Sequence, residues 1–165
     1  MTRVATEAPS AQAQLDGFMK KYSPKIATEG RAALVKLRRL VPGAVELVYD
    51  NYNVLVVGFC PSERASEAVV SLAFAPRWLA LCFLQDGPKL PDPHGLLRGS
   101  GKQVRNVRLE SAKELDRPEV RSLVATALER AKVPIDETAR GRLVIRSVSK
   151  KQRPRRPKAS SATKG

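Results

Sequence analysis

Residues 44–59, AVELVYDNYNVLVVGF, decide the fold. Before them the apolar residues recur at the 3.6 spacing of a helix; here the period drops to two. Residues 44–49 and 52–59 read as two strands around Asp50–Asn51, a good hairpin turn pair. Strands joined by so short a turn pair antiparallel.

Toward the N-terminus, residues 11–22 place Leu15, Phe18, Met19 and Tyr22 on one helical stripe. Ser23–Pro24 then supplies an N-cap and a proline at the first helical position. The second helix carries Ile26, Ala33, Leu34, Leu37, Leu40 and Val41 on one face. Lys36, Arg38 and Arg39 near its end suit the dipole, and Pro42–Gly43 stops it.

Toward the C-terminus, a polar loop at 60–67 leads to a second hairpin, residues 68–75 and 78–84 around Pro76–Arg77. Trp78, Ala80, Cys82 and Leu84 fall on one side, Leu79, Leu81 and Phe83 on the other. Both sides are apolar, as in a central strand. Residues 103–109 form a fifth strand, with Val104 and Arg108 on one face and Arg105, Val107 and Leu109 on the other. Ser111-Ala-Lys-Glu114 is a capping box opening a short helical turn. Residues 117–132 make the clearest helix, with Val120, Leu123, Val124, Ala127, Leu128 and Ala131 in an unbroken stripe. Residues 142–148 read as a last, edge strand or as an extended segment. The order predicts an α+β fold: an antiparallel sheet of five or six strands with helices packed on one face, in two layers.

A chain of 165 residues, 42% of them apolar, suits one domain at residues 11–148 that needs neither metal nor disulfide. Residues 1–10 lack periodicity and are expected to be a flexible N-terminus. The net charge is +14, and residues 149–165 hold seven cations and no carboxylate, half of that total. This prolines-and-cations tail is too poor in apolar residues to offset the cost of ordering, so disorder is expected from Ser149 onward. A field of this sign concentrates polyanions and opposes a site that collects metal cations. The flanks of Cys60 and Cys82 look like strand and core and predict reduced thiols. No leader-like opening and no apolar run of membrane-spanning length is present, so a cytoplasmic protein is expected.

The element order, with Tyr22-Ser-Pro24, Val41-Pro-Gly43, Glu46-Leu-Val-Tyr49 and Gly95-Leu-Leu-Arg-Gly-Ser-Gly-Lys102, resembles the YdhG-like family of small bacterial domains of unknown function, over about residues 15–132. The resemblance implies a two-layer α+β domain. Some relatives have been described as frataxin-like iron chaperones, which makes iron carriage one alternative. Asp50-Asn-Tyr-Asn53 and the basic tail depart from the family's pattern.

The candidate site is the connection at 85–102 and the strand after it. Pro91–Leu109, PDPHGLLRGSGKQVRNVRL, has no carboxylate after Asp92. Its glycines leave backbone N–H groups uncovered, and such groups attract anions. Arg98, Lys102, Arg105 and Arg108 would supply charge, with the Ser100 and Gly101 amides as donors. It is not a P-loop: five residues separate Gly95 from Gly101-Lys102, Gln103 replaces the hydroxyl, and a strand follows where a helix is required. Gly99-Ser100-Gly101 is not a nucleophile elbow, because Arg98 and Lys102 take its outer positions. His94, the only histidine, sits in a loop, so no catalytic residue is assigned. One histidine and two distant cysteines give no zinc spacing, and no metal or other cofactor is expected. A carrier of iron would have to gather Glu46, Asp50, Glu63 and Glu67. Tyr49, Tyr52, Trp78 and Phe83 are expected to serve core packing rather than base stacking.

The preferred reading is a small, non-catalytic module for nucleic acid or another phosphorylated polyanion. It would act through the Arg98–Arg108 strip and the tail cations Lys150, Lys151, Arg153, Arg155, Arg156 and Lys158. Seven tail cations on duplex phosphates would give a salt slope of about −6. The remaining alternative is a small-molecule or enzymatic domain, with Tyr49, His94 and Arg98 converging on a pocket walled by the 85–102 loop.

Overall fold

The computed structural model describes residues 9–157. Most of the flexible segment expected at 1–10, and Lys158 and Lys164 of the tail, lie outside that range. Two helices, α1 (Ala11–Met19) and α2 (Pro24–Leu40), precede a four-strand meander: β1 (Val45–Asp50), β2 (Leu55–Cys60), β3 (Val70–Phe74) and β4 (Leu79–Phe83). Then come β5 (Arg105–Leu109), a 3-10 turn (Ala112–Asp116), α3 (Pro118–Glu129) and β6 (Arg142–Val148).

The local signals act as the sequence implies. Ser10, expected within the flexible N-terminus, is instead the N-cap of α1: its Oγ accepts from the Ala13 amide at 3.0 Å. Ser23 Oγ accepts from Ile26 N at 3.3 Å, with Pro24 at the first position of α2. At Gly43 the backbone turns with φ +83°, and a Cβ there would lie 2.0 Å from the Asp136 carbonyl oxygen, so no other residue fits the stop. The capping box at Ser111 and Glu114 forms.

The sheet runs β5-β4-β3-β2-β1-β6. Its first five strands are antiparallel; β6 lies parallel to β1, so the sheet is mixed. The reason is the connection. Strand β5 is followed by α3, which crosses the sheet, and a helical crossover returns the chain in the direction it left. The β1–β6 register slips between Val48 and Tyr49, leaving Arg146 as an extra residue on β6.

Leu15, Met19, Leu34 and Leu37 from α1 and α2, and Val120, Leu123 and Val124 from α3, pack on Val57, Phe59, Leu72, Phe74, Leu81 and Phe83 of the sheet. Three helices therefore line one face. The opposite face carries no helix among the described residues. A second, small cluster of Val45, Leu47, Cys60 and Ala68 sits at one end of it.

Tyr22 is a polar anchor within the core. It is 1% exposed, donates its hydroxyl to the Phe74 carbonyl at 3.1 Å and accepts from the Leu55 amide at 3.1 Å. It thus ties the ends of β2 and β3, and burial raises its pKa so that it stays a donor. Tyr22→Phe leaves a buried amide and a buried carbonyl without their partner and is expected to cost about 1–3 kcal/mol. An unchanged urea midpoint for this variant would remove the anchor from the account.

Candidate functional site

The 85–104 connection is built, not slack. Asp92 Oδ1 accepts from Leu96 N at 2.8 Å and its Oδ2 from Leu97 N at 2.9 Å. Leu90 is buried, and Leu96 and Leu97 rest against the core. Gly87 N donates to Gln103 O at 2.8 Å. Arg98 and Asn106 exchange two backbone hydrogen bonds, 2.7 and 3.0 Å, so Arg98 extends the sheet beyond β5. The Arg105 guanidinium closes the loop by donating to the carbonyls of Gly101 and, at 3.0 Å, Val104.

Arg98, Ser100, Gly101 and Lys102 are all exposed along the β5 edge. The alternation within β5 is the one read from sequence: Val107 and Leu109 face the helices, and Arg108 faces the other way. Among the described residues, no ion pair involves Arg98, Lys102, Arg105 or Arg108. A cleft of about 250 Å³ opens here, with Gly95, Leu96, Arg98, Arg108 and Arg117 in its wall and Glu110 and Glu114 at the same place. Arg105 is engaged with loop carbonyls, so the cations facing solvent at this edge are Arg98, Lys102 and Arg108.

Trp78 corrects the core expectation for the aromatics. Phe83 is in the core, but Trp78 is half-buried on the face without helices, and the Arg108 guanidinium lies 3.9 Å from its ring centroid. Tyr49 also lies off the main core, beside the small second cluster, and Tyr52 is 53% exposed. A signal for this was present. In β3 and β4 the residues alternating with the large apolar ones are Ser71, Ala73, Ala80 and Cys82. A face of small residues offers little for a helix to pack on.

The tail corrects the reading more deeply. Residues 149–157 are not disordered; they form a strap across the β1–β2 hairpin. Ser149 N donates to Asp50 O at 2.9 Å and Arg153 N to Tyr52 O at 2.8 Å. Arg155 is buried, and its Nη2 donates to Asp50 Oδ1 at 2.8 Å and to the Asn51 carbonyl at 2.6 Å. Lys21 Nζ holds the other carboxylate oxygen at 2.6 Å and also Gln152 Oε1 at 2.9 Å. Arg156 donates to the Lys20 and Lys21 carbonyls at the end of α1, 3.3 and 3.2 Å away. Burial pushes the Asp50 pKa up, but hydrogen bonds led by that from Lys21 outweigh it and hold the carboxyl below its usual range. Arg155 is therefore structural and cannot reach a phosphate. Lys150, Lys151 and Arg153 remain exposed.

The two halves of the expected polyanion surface are not together. The strap lies at the β1–β6 side, and the Arg98–Arg108 strip lies at β5, the far edge of the sheet. Five strand steps separate β5 from β6, roughly 24 Å at about 4.8 Å each.

Other chemistry finds no constellation. Glu46 is paired with Arg38, Asp50 with Lys21 and Arg155, Glu63 with Arg142 and Arg146, and Glu67 with Ser62 and Arg64. These four carboxylates do not gather, and the described residues hold no group of three or more metal-ligating side chains. His94 is exposed beside a different cleft, about 230 Å³, with Asp92, Glu119 and Ser122; Tyr49 lies on β1, across the sheet. Cys60 and Cys82 are free, and burial pushes the Cys60 thiol up to about 11 and Cys82 in the same direction, which keeps both protonated and unreactive. No described helix is long and apolar enough to cross a membrane. Comparison with protein-family models, curated proteins and solved structures returned no match.

Proposed function

We propose that this chain is a non-catalytic binding module for phosphate-bearing polyanions and that its ligand meets the β5 edge. One observation carries the reading: Arg98 and Arg108 share a cleft on an ordered edge, Lys102 is exposed in the same loop, and none of the three is in an ion pair among the described residues. Cations whose charge is not already neutralised release counterions from a polyanion and gain affinity by it. The strap supports a division of labour, since Arg155 and Arg156 are spent on protein acceptors. The YdhG-like resemblance offers only iron carriage as an alternative, and a fold likeness does not fix function, so this reading rests on the residues.

The test is fluorescence anisotropy with a labelled oligonucleotide over a salt series from about 50 to 200 mM. The plot of log K against log salt is expected to slope downward. Arg98→Ala with Lys102→Ala should make it shallower by about 0.7–0.9 for each cation removed. Lys150→Ala with Lys151→Ala, at the opposite edge, should change it far less. Absence of binding at the lowest salt, or a slope indifferent to Arg98 and Lys102, sinks the proposal.

A further inference from the structure

We infer that the polyanion is a single-stranded nucleic acid and that one of its bases stacks at the Trp78–Arg108 pair on the uncovered sheet face; this rests on the polyanion reading above. Trp78 is the only tryptophan of the chain. A ring of that size gains most from burial. Here it sits instead beside the unpaired cationic edge, under the Arg108 guanidinium at 3.9 Å. The cation–π contact alone contributes only modestly at a half-buried surface site. Its other consequence is chemical: a flat aromatic ring and a flat guanidinium are the two surfaces on which unpaired bases stack.

The surroundings fit a strand laid across the sheet. The row through Arg108 continues over Ala80, Ala73 and Val56 to Tyr49. Its middle is low and nearly featureless, with the Arg108 guanidinium over Trp78 at one end and the Tyr49 ring at the other, about four strand steps or roughly 19 Å from β5 to β1. Arg77, exposed in the turn before Trp78, and Arg98, on the β5 edge, flank the stacking position with positive charge. A duplex keeps its bases stacked on each other. Against this broad face it can offer only phosphates, so it should engage the cations and not the ring.

The single tryptophan is its own reporter. The full chain is titrated with single-stranded oligothymidine and with a duplex of matched charge, following tryptophan emission and, separately, anisotropy of the labelled nucleic acid. The single strand should quench the emission and the duplex should not. Trp78→Ala should weaken single-strand binding by about 5- to 150-fold, the range that loss of one stacked base produces, and leave duplex binding in place. Trp78→Phe should recover most of the loss, and it keeps the test valid if the alanine variant folds poorly. Single-strand binding without quenching, or equal weakening toward both ligands, overturns the stacking inference and leaves the polyanion reading standing. Failure to bind either ligand, at low salt, overturns both.

Discussion

Asp50→Ala should be the most damaging single substitution at the strap's anchor on β1, costing about 3–5 kcal/mol. The carboxylate is fully buried and holds two cations, but those cations differ in what they can do when it is gone. Lys21 is 40% exposed and can swing into water. Arg155 is 4% exposed, and its Nε already has no partner among the described residues. Removing Asp50 leaves a charged guanidinium enclosed over the Tyr22 ring. Arg155→Ala should cost less, because Lys21 still answers the carboxylate, and Lys21→Ala least. Urea unfolding of the three variants checks the ranking; equal losses would mean that the strap is held by its backbone bonds instead.

The same site sets a pH dependence. The carboxyl's pKa is lower in the folded protein than in the unfolded chain, where it is about 3.9. The folded state therefore binds this proton less readily. The stabilisation is complete above the unfolded value and is lost as pH falls through the folded one. The urea midpoint should hold between about pH 5 and 7 and drop below about pH 4. Asp50→Asn should flatten that part of the profile.

Phe74→Ala should be equally costly, about 3–5 kcal/mol, for an unrelated reason. Its ring is fully buried and stands directly beneath Gly30 of α2, where a Cβ would come within 2.2 Å of Cε2 and 2.7 Å of Cζ. Glycine is what allows the helix to approach the ring. By helix propensity alone Gly30→Ala would stabilise by about 1 kcal/mol. Overpacking against a core ring costs about 1–3 kcal/mol, so the expected sign is destabilising. With Phe74 already truncated, the added methyl enters vacated space, and Gly30→Ala should become neutral or favourable. A double-mutant cycle read by denaturant midpoints measures this reversal, and simple additivity would refute the close approach as its cause.

What could be read from sequence was whatever leaves a local periodic trace. Both hairpins, α2, α3, the capping box at Ser111 and the two faces of β5 fall in that class, because burial of one face imprints a period within a dozen residues. The direction of β6 does not: residues 142–148 look the same whichever way they pair. The strap was hidden for a similar reason. Residues 149–157 contain almost nothing apolar, and their order depends on one buried carboxylate that Arg155 meets 105 positions away in sequence. Asp50 itself reads as a turn residue, yet it ends β1, and the turn follows it, with Asn51 N bonded to Val54 O at 3.0 Å. Of the candidate site, the cations were legible and their separation from the tail was not. The open-face position of Trp78 leaves no such trace in the residue itself, because hydrophobicity marks a residue for contact without saying which face the helices cover.

The pairing of β1 with β6 has a consequence for biosynthesis. Val45 waits for Arg142, so one flank of an early strand stays unsatisfied through most of translation. Until residues 142–157 leave the ribosome, the nascent domain carries an open, apolar template on which a neighbouring polypeptide could dock. Chains interrupted before that point would keep this adhesive flank permanently, and quality control would meet them as clients.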